Sequence, residues 1–504
     1  MMNFATKSLT FSAALLMSAC ATAGPTSTIV TSSSASSSTY AADNPVLAER
    51  IAYAPIKTPA KNVILFIGDG MGVSTVTAAR IFEGQQLGKQ GEEHQLSWES
   101  FPHTALSKTY NTNQQVPDSA GTATAMYTGV KTSAGVLGVA PDVRRGDCAA
   151  PDAGALPSFW DAASTAGFRL GLVSSARLTH ATPAAAYAHS PERNWEYDAA
   201  MPEDALAANC RDIAAQFVDR NIIDVAMGGG RRSFQRDTDV QADYPDETGR
   251  RTDGVSLTDA WQIKNPDGKV VYDQAGFDSL VPGRDERVLG LFEPSHLKFS
   301  AANTGPDADP SLADMTAKAI GLLSAKGGGY VLMVEGGRID HAHHGGNAFN
   351  ALSDTVAFAK AIAVADALTS DDDTTILVTA DHSHVFTIAG YPTRGNPILG
   401  LVKGNDASGQ PSGEVVLADD NAPYTTLGYA NGPGAITGPR PMLTDSEVEA
   451  PRYRQQALVP GRSETHAGED VAIYAKGPRS YVVSGVVEQS YIHDAVRYAL
   501  DLER

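Results

Sequence analysis

The sequence is poor in cysteine and in positive charge, and it contains no long apolar run. Three cysteines among 504 residues leave room for one internal disulfide at most. The longest apolar stretches are too short to span a bilayer as a mature helix. Lysine and arginine number 39 against 58 aspartates and glutamates, so the formal charge is −19. Such an acidic surface repels phosphate backbones, which argues against nucleic acid as a structural partner but not against a small anionic substrate.

The first 20 residues have the pattern of an export signal. Lys7 supplies a positive charge, the short apolar segment "LTFSAALLMSA" follows, and "SAC" at 18–20 resembles a bacterial lipoprotein cleavage site with Cys20 as the lipid-bearing residue. The alternative is ordinary secretion, with cleavage nearby and an unmodified Cys20. Both interpretations predict passage across the inner membrane, to the periplasm or to a lipid anchor on the cell envelope.

Residues 21–58 are expected to form a tether between this signal and a folded body at 59–504. The first part of that segment is rich in Ser, Thr and Ala and cannot bury enough apolar surface to order itself. If Cys20 carries lipid, Cys148 and Cys210 remain as the two cysteines that could pair. In an oxidising compartment they form one disulfide, and the alternative is two buried free thiols.

Short aliphatic runs alternate with helix-like segments along the folded body. The runs lie at 62–70, 170–176, 222–230, 330–337, 374–382 and 470–478, and helix-like segments lie at 158–167, 204–219, 313–327 and 354–369. Near-continuous apolar runs are typical of strands that are buried on both faces. We therefore predict an α/β three-layer sandwich, with a central mostly parallel sheet and helices on both faces.

Two stretches look like insertions into this pattern. Residues 231–290 are polar and rich in Asp, Arg and Gly, and we expect them to form surface loops. Residues 390–460 are rich in Gly and Pro with short apolar pieces, and we expect a small accessory region there.

Polar residues stand where the predicted strands end. Asp69, Glu335, Asp381 and His382 occupy such positions, and the segment with His180 and Thr182 follows another strand. In open parallel sheets ligands bind at the carboxyl ends of the strands. We expect these residues to meet in one cleft.

The segment "EGGRIDHAHH" predicts a metal site. Asp340 and His344 are four residues apart and share one face if a helix begins there. A carboxylate with an imidazole suits Zn²⁺, and His466 in "ETHAGED" is the candidate third ligand.

Two further ion sites follow from the same edge of the sheet. Asp381 and His382, completed by Asp69, form a second nitrogen and oxygen site. Glu335 and Thr182, with the other oxygen of Asp69, are hard oxygen ligands that suit Mg²⁺. His180 and His341 are expected to lie around these ligands, whereas His343 and His384 are expected to be structural histidines.

Ser119 in "VPDSAGTATAMYTGVKT" precedes a stretch of small residues fit for a helix. A serine there is either an N-cap or a nucleophile whose pKa a neighbouring zinc ion lowers. Arg193 in "ERNWEYD" could grip two phosphate oxygens through its guanidinium fork.

Together these segments resemble the alkaline phosphatase family. The matching pieces span roughly residues 60–480 in the family's order: "NVILFIGDGMG", "VPDSAGTATAMYTGVKT", "THATPAAAYAH", "ERNWEYD", "EGGRIDHAHH", "TADHSHVF" and "THAGEDVAIYAKGP". One such motif alone is weak, but seven in order are specific.

The resemblance implies a phosphomonoesterase with two zinc ions and one magnesium ion, acting on small phosphate monoesters through a phosphoserine. It implies these roles: Ser119 as nucleophile, Arg193 as phosphate clamp, the first zinc on Asp340, His344 and His466, the second on Asp69, Asp381 and His382, magnesium on Asp69, Thr182 and Glu335, and Asp118, His180 and His341 around the ligands. Histidines at 180 and 341 are as in animal and some marine bacterial members. The family also implies a Cys148–Cys210 disulfide, a homodimer and a crown-like region at 390–460.

Two alternatives remain. A phosphodiesterase or sulfatase could use the same scaffold, although "DSAGT" lacks the Cys/Ser-x-Pro-x-Arg context of sulfatases. A non-catalytic metal-binding surface lipoprotein would bind zinc and hydrolyse nothing.

Overall fold

The computed structural model describes residues 44–148 and 154–503. The predicted signal at 1–20, Cys20 and the tether residues up to 43 lie outside the described residues. The described strands are β1 Asn62–Gly68, β2 His103–Lys108, β3 Arg169–Arg177, β4 Val225–Gly229, β5 Val240–Gln241, β6 Tyr244–Thr248, β7 Lys269–Val271, β8 Val288–Leu291, β9 Tyr330–Gly336, β10 Thr374–Ala380, β11 Ser383–His384, β12 Phe386–Ile388, β13 Lys403–Asn405, β14 Pro411–Val415, β15 Leu427–Gly432, β16 Ala457–Pro460, β17 His466–Ala467, β18 Val471–Lys476 and β19 Gly485–Glu488. The described α-helices are α1 Pro45–Ala52, α2 Val73–Gln86, α3 Ser119–Thr128, α4 Phe159–Thr165, α5 Ala181–Ala184, α6 Glu203–Ala207, α7 Ile213–Arg220, α8 Arg231–Phe234, α9 Leu257–Lys264, α10 Gln274–Asp278, α11 Leu312–Ser324, α12 Arg338–His344, α13 Ala348–Leu368, α14 Asp445–Val448 and α15 Tyr491–Leu500.

Helix α1 belongs to a unit that ends at Ala54, and the chain from Pro55 onward forms a second unit. The helix lies within the segment that we expect to be a tether. It begins where the Asn44 side chain accepts a hydrogen bond from the Leu47 N–H, with Pro45 in the first turn. Among the described residues, no helix has the length and apolar character needed to cross a membrane.

One large sheet dominates the second unit. In the described part it has ten strands in the order β19-β2-β18-β10-β1-β9-β3-β4-β8-β7. All neighbours from β10 to β7 are parallel, and β19 is parallel to β2. Strand β18 is antiparallel to both of its neighbours. The prediction of a mostly parallel sheet is confirmed.

Both faces of the sheet are covered, as the near-continuous apolar runs predict. Every residue of β1 is buried. Ile64 and Phe66 pack in one cluster with helices α2, α11 and α13. Val63 and Leu65 pack in the other cluster, with α3, α4, α7 and α15. The three-layer sandwich is therefore confirmed.

The sheet topology explains why distant residues meet. Strands β10, β1, β9 and β3 are consecutive neighbours, so their carboxyl ends share one edge. Because β18 runs in the opposite direction, its first residues lie at that same edge. His466 precedes β18 by a few residues and is thereby brought to the ends of the parallel strands.

The helix predicted at 204–219 is wrong as a single element. The structure has two helices, α6 and α7, with Asn209 at φ 59° between them. Cys210 follows and forms a disulfide with Cys148, with 6.0 Å between their Cα atoms. Asp212 then caps α7 through the Ala215 N–H. The disulfide interpretation of the two cysteines is confirmed, and the left-handed residue beside Cys210 interrupts the helix.

The prediction of surface loops at 231–290 is also wrong. This region contains α8, α9 and α10, and it supplies β7 and the start of β8 to the large sheet. Trp261 and Phe277 are buried against the sheet clusters. The apolar residues of this region are too sparse to form a visible run, yet they suffice for a short edge strand, β7, and for its short neighbour β8. Residues 390–460 contain the β13–β14 hairpin and β15, which pairs with β12 and β16 in a separate small sheet.

Asp354 on α13 carries a prediction about pH and stability. Its buried carboxylate accepts a hydrogen bond from the Ser300 N–H at 3.2 Å. Burial raises the pKa of Asp354 to about 7, although Arg338 lowers it. The pKa of an aspartate in the unfolded chain is about 3.9, so the folded state binds this proton more tightly. The protonated Asp354 therefore contributes to stability near pH 4, and that contribution is lost as the pH rises from 4 through 7.

We expect Asp354→Asn to raise the free energy of unfolding above pH 7, by at most about 4 kcal/mol, and much less near pH 4. Asparagine keeps an acceptor for Ser300 and cannot ionise. Unfolding followed at pH 4.5 and pH 8.5 checks this. Asp372→Asn, at an exposed position, is the control. A constant difference between variant and parent over that range would contradict the prediction.

Candidate metal centre

Three ligand atoms converge beside helix α12, which forms where the sequence pattern predicts it and carries Asp340 and His344. Asp340 Oδ1 lies 3.3 Å from His344 Nε2 and 3.2 Å from His466 Nε2. The two Nε2 atoms are 3.1 Å apart. Ligands about 2.0–2.1 Å from a tetrahedral zinc ion lie about 3.4 Å from one another. The three atoms therefore fit three corners of a zinc site.

Backbone carbonyl groups orient both histidines of this group. His344 Nδ1 donates to the Glu464 carbonyl at 2.7 Å, and His466 Nδ1 donates to the Pro117 carbonyl at 2.8 Å. A proton on Nδ1 leaves the lone pair on Nε2. Both rings thus turn Nε2, the nitrogen that carries the lone pair in this tautomer, toward Asp340.

Asp69, Asp381 and His382 form a second group beside the first. His382 Nε2 lies 3.3 Å from Asp381 Oδ2 and 3.5 Å from Asp69 Oδ1. Asp381 Oδ1 accepts the N–H groups of Gly70 and His382, at 2.9 and 2.8 Å, so its other oxygen is left to face the group. The rings of His382 and His466 stack with centroids 3.6 Å apart, which makes the two groups adjacent.

The hydroxyl of Ser119 lies at this second group. Its Oγ is 3.1 Å from His382 Nε2 and 3.5 Å from Asp69 Oδ1. The N-cap of α3 is Asp118, whose carboxylate accepts the Gly121 N–H. The N-cap interpretation of Ser119 is therefore wrong, and its hydroxyl is left for the site.

A third group lies on the other side of Asp69. Ligand atoms of Asp69, His180 and Glu335 are all within 4.8 Å of one another. Asp69 Oδ2 and His180 Nδ1 are buried, 4.0 Å apart, and make no hydrogen bond to any described residue. The Thr182 side chain is buried next to the Glu335 carboxyl. His180 thus lies beside Asp69 in this group.

The electrostatics of these groups indicate that cations belong here. Burial, together with Asp381 and Asp340, raises the pKa of Asp69 well above its usual value. Burial likewise raises the pKa of Asp381 and raises that of Glu335 to about 7. Buried carboxylates without cationic partners are costly, and bound metal ions would remove that cost. The donor set therefore fits divalent metal ions.

Asp118 connects Ser119 to Arg193. Its Oδ2 accepts from Arg193 Nη1 at 3.1 Å and from the Gly135 N–H at 2.9 Å. Arg193 Nη2 also lies 3.2 Å from His180 Nε2. Although burial lowers the pKa of Arg193, the carboxylates of Asp118, Asp69 and Asp340 together outweigh this and raise it. A charged guanidinium is thus held at the edge of the site.

Comparisons with known proteins agree with this geometry. The alkaline phosphatase family model matches residues 60–502. The chain belongs to the alkaline phosphatase family. It is 46% identical over 450 residues to chicken tissue-nonspecific alkaline phosphatase, covering 87% of this chain and 84% of that protein. The human tissue-nonspecific isozyme is 45% identical over 451 residues, covering 87% and 83%.

The solved structure of alkaline phosphatase from the Antarctic bacterium TAB5 shares the fold. It has a TM-score of 0.61 and 22% identity, and the match covers 89% of this chain and all of that one. Members of the family are phosphoric monoester hydrolases, and this chain is an enzyme of that class.

In this alkaline phosphatase, His384 lies at the first group, although the sequence analysis treated it as structural. His384 Nε2 is 2.9 Å from Asp340 Oδ1, and its Nδ1 is 2.5 Å from Glu464 Oε2. Burial lowers the pKa of His384, but the hydrogen bonds to Asp340 and Glu464 outweigh this and raise it to about 10. The spacing "DHSH" is the sequence signal, because β11 pairs with β17 and sets His384 opposite His466.

The remaining histidines have different positions. His343 hydrogen bonds to Thr75 and to Tyr429, as expected of a structural histidine, and its ring stacks on His384 with centroids 4.7 Å apart. His341 packs against His180, with ring centroids 5.4 Å apart. His296, which no sequence motif singled out, contacts His341 with ring centroids 3.9 Å apart and ring planes tilted by 54°.

Proposed function

We propose that this enzyme hydrolyses phosphate monoesters through a phosphoserine on Ser119, at a site for two zinc ions and one magnesium ion. The observation that carries the proposal is the position of Ser119 Oγ, which lies within 3.5 Å of ligand atoms from two residues of the second group. A helix N-terminus at this serine also favours an anion.

The proposed metal ligands come from the three groups, with Thr182 beside Glu335 in place of His180 in the third. Asp340, His344 and His466 would hold the first zinc ion. Asp69, Asp381 and His382 would hold the second, and Asp69, Thr182 and Glu335 the magnesium ion. When bound, these ions supply positive charge that favours deprotonation of a hydroxyl and offsets charge on the phosphoryl group.

The protein's residues then carry a two-step displacement. Ser119 Oγ forms a bond to phosphorus while the bond from phosphorus to the ester oxygen breaks, and the alcohol leaves with a proton. Water next forms a bond to phosphorus on the vacated side while the Ser119–phosphorus bond breaks. Inorganic phosphate is released and Ser119 is regenerated.

Arg193 is proposed to bind phosphoryl oxygens through its two Nη groups. We expect Arg193→Ala to weaken inhibition by inorganic phosphate by about 1–3 kcal/mol, which is about 5- to 150-fold in the inhibition constant. Arg193→Lys keeps the positive charge but not the two-pronged guanidinium, so its inhibition constant should lie between those of the parent and of Arg193→Ala. Arg211→Ala, which breaks only an exposed pair with Asp219, is the control. An unchanged inhibition constant in Arg193→Ala would refute the clamp.

Three p-nitrophenyl esters separate the proposed function from its rivals. A monoesterase cleaves p-nitrophenyl phosphate far faster than bis-p-nitrophenyl phosphate or p-nitrophenyl sulfate. Faster cleavage of the diester or of the sulfate would favour the phosphodiesterase or sulfatase alternative. Zinc binding with no hydrolysis of any ester would favour the non-catalytic lipoprotein.

The cellular setting is proposed from sequence and family resemblance. We propose export to the periplasm or lipid anchoring at Cys20, a domain starting near residue 59, and a homodimer with 390–460 as a crown-like region. Exposed Tyr391, Met442 and Leu458 in or beside that region support an interface. The intact mass of the mature protein tests the lipid, and sedimentation tests the dimer.

A further inference from the structure

Glu464 is buried beside the first group although the sequence analysis assigned it no role. The residue as a whole is 1% exposed. Its Oε2 lies 2.5 Å from His384 Nδ1, and its Oε1 accepts the Val385 N–H at 2.8 Å. Each carboxylate oxygen thus has one hydrogen-bond partner, and Oε2 also lies 3.8 Å from His344 Nδ1, so the carboxylate is held in one orientation.

The backbone of Glu464 holds a second histidine. Its N–H donates to the His344 carbonyl at 3.0 Å, and its own carbonyl accepts from His344 Nδ1 at 2.7 Å. The same residue therefore orients His344 through its main chain and His384 through its side chain.

His384 passes this constraint to Asp340. Asp340 Oδ1 is the atom that all three histidines approach. It lies 3.3 Å from His344 Nε2, 3.2 Å from His466 Nε2 and 2.9 Å from His384 Nε2. Rotation of the Asp340 carboxylate would move this oxygen away from both ligand histidines. The chain from Glu464 through His384 to Asp340 opposes that rotation.

The segment 390–460 contacts Glu464 and its neighbour Thr465 on the side away from the metal ligands. Gly432, at the end of β15, has φ 135°, and a Cβ there would lie 3.0 Å from Glu464 Cβ. The Asn431 amide also bonds to the adjacent Thr465, receiving its N–H at 3.0 Å and donating to its Oγ1 at 2.9 Å. Glu464 thus stands between the small sheet and the metal ligands.

We propose that Glu464 is a positioning residue for the first metal site, fixing Asp340 through His384 and His344 through its own backbone. The inference extends the proposed function, since it requires zinc at Asp340, His344 and His466. It assigns no substrate contact to Glu464. Outer partners of metal ligands contribute about 10- to 100-fold to metal affinity.

The test measures zinc retention. The parent, Glu464→Ala and Glu464→Gln are loaded with zinc and magnesium, and zinc loss to an excess of chelator is followed over time. We expect one of two zinc ions to leave Glu464→Ala about 10- to 100-fold faster than it leaves the parent. Glutamine has one acceptor oxygen for the two donors, so Glu464→Gln should lose zinc several-fold faster. Glu469→Gln is the control, because Glu469 is exposed and bonds to the Ser383 hydroxyl instead.

A second readout separates positioning from general stability. The free energy of unfolding of each metal-free variant is measured beside the zinc-loss rate. Faster zinc loss at one site, beyond any change in metal-free stability, supports the proposal. Parental zinc loss in Glu464→Ala would overturn it. Should Glu464→Ala fail to fold, parental zinc loss in Glu464→Gln would overturn it equally. If the parent itself binds no zinc, the proposed function fails first, which is a distinct result.

Discussion

Replacing Ser119 by alanine is expected to lower the turnover of p-nitrophenyl phosphate by at least about a thousandfold. The physical reason is that the substitution removes the attacking oxygen and little else. Ser119 is not among the carboxylate and imidazole donors of the three groups, so zinc and magnesium contents should match those of the parent. Helix α3 should persist, because Asp118 caps it and Asp118 is unchanged.

Turnover, metal analysis and trapping of the phosphoenzyme with labelled phosphate measure this effect. The parent should give an acid-stable phosphoserine and Ser119→Ala none. Ser133→Ala is the matched control, because its hydroxyl lies in the loop after the same helix and bonds to Thr112 and the Pro141 carbonyl. Near-parental turnover in Ser119→Ala would remove the nucleophile from the proposed mechanism.

Removal of the metal ions should have the second large effect, on stability as well as on activity. Asp69, Asp381 and Glu335 are buried with raised pKa values, that of Glu335 reaching about 7. A raised folded pKa contributes stability below the unfolded value, and the contribution is lost as pH rises through the folded pKa. The metal-free protein should therefore be less stable at pH 9 than at pH 6.

Bound cations offset the repulsion among these carboxylates. The metal-loaded protein should therefore not lose stability between pH 6 and pH 9. At a metal concentration 100 to 1,000 times the dissociation constant, one site adds about 2.7–4.1 kcal/mol. Calorimetry at both pH values, with chelator and after return of zinc, magnesium or both, measures the difference. Hydrolysis should return fully only with both ions. An unchanged melting temperature in chelator at pH 9 would contradict the metal assignment.

The predicted strands coincide with β1, β3, β4, β9, β10 and β18, because strands buried on both faces need continuous apolar runs whatever their neighbours are. The i, i+4 spacing of Asp340 and His344 likewise predicts their shared helix face. Local pattern is sufficient in these cases, since the physical requirement is itself local.

Other features depend on partners that are distant in sequence. Asp118 rather than Ser119 caps α3, and the same carboxylate also receives Arg193 from 75 residues away. The break between α6 and α7 accompanies a disulfide across 62 residues. Strands β7 and β8 are recognisable only once their neighbours in the sheet are known, because each is too short to show a period.

The alternation of strands with helices can be read from the chain alone, since it follows from residue chemistry and short-range spacing. The candidate ligands and the candidate nucleophile rest on motifs in the chain and on the family that those motifs resemble. The antiparallel course of β18, which delivers His466, and the burial of Glu464 against His384 follow from packing across the sheet. No local pattern specifies them, because they are set by which surfaces meet when the apolar faces are buried.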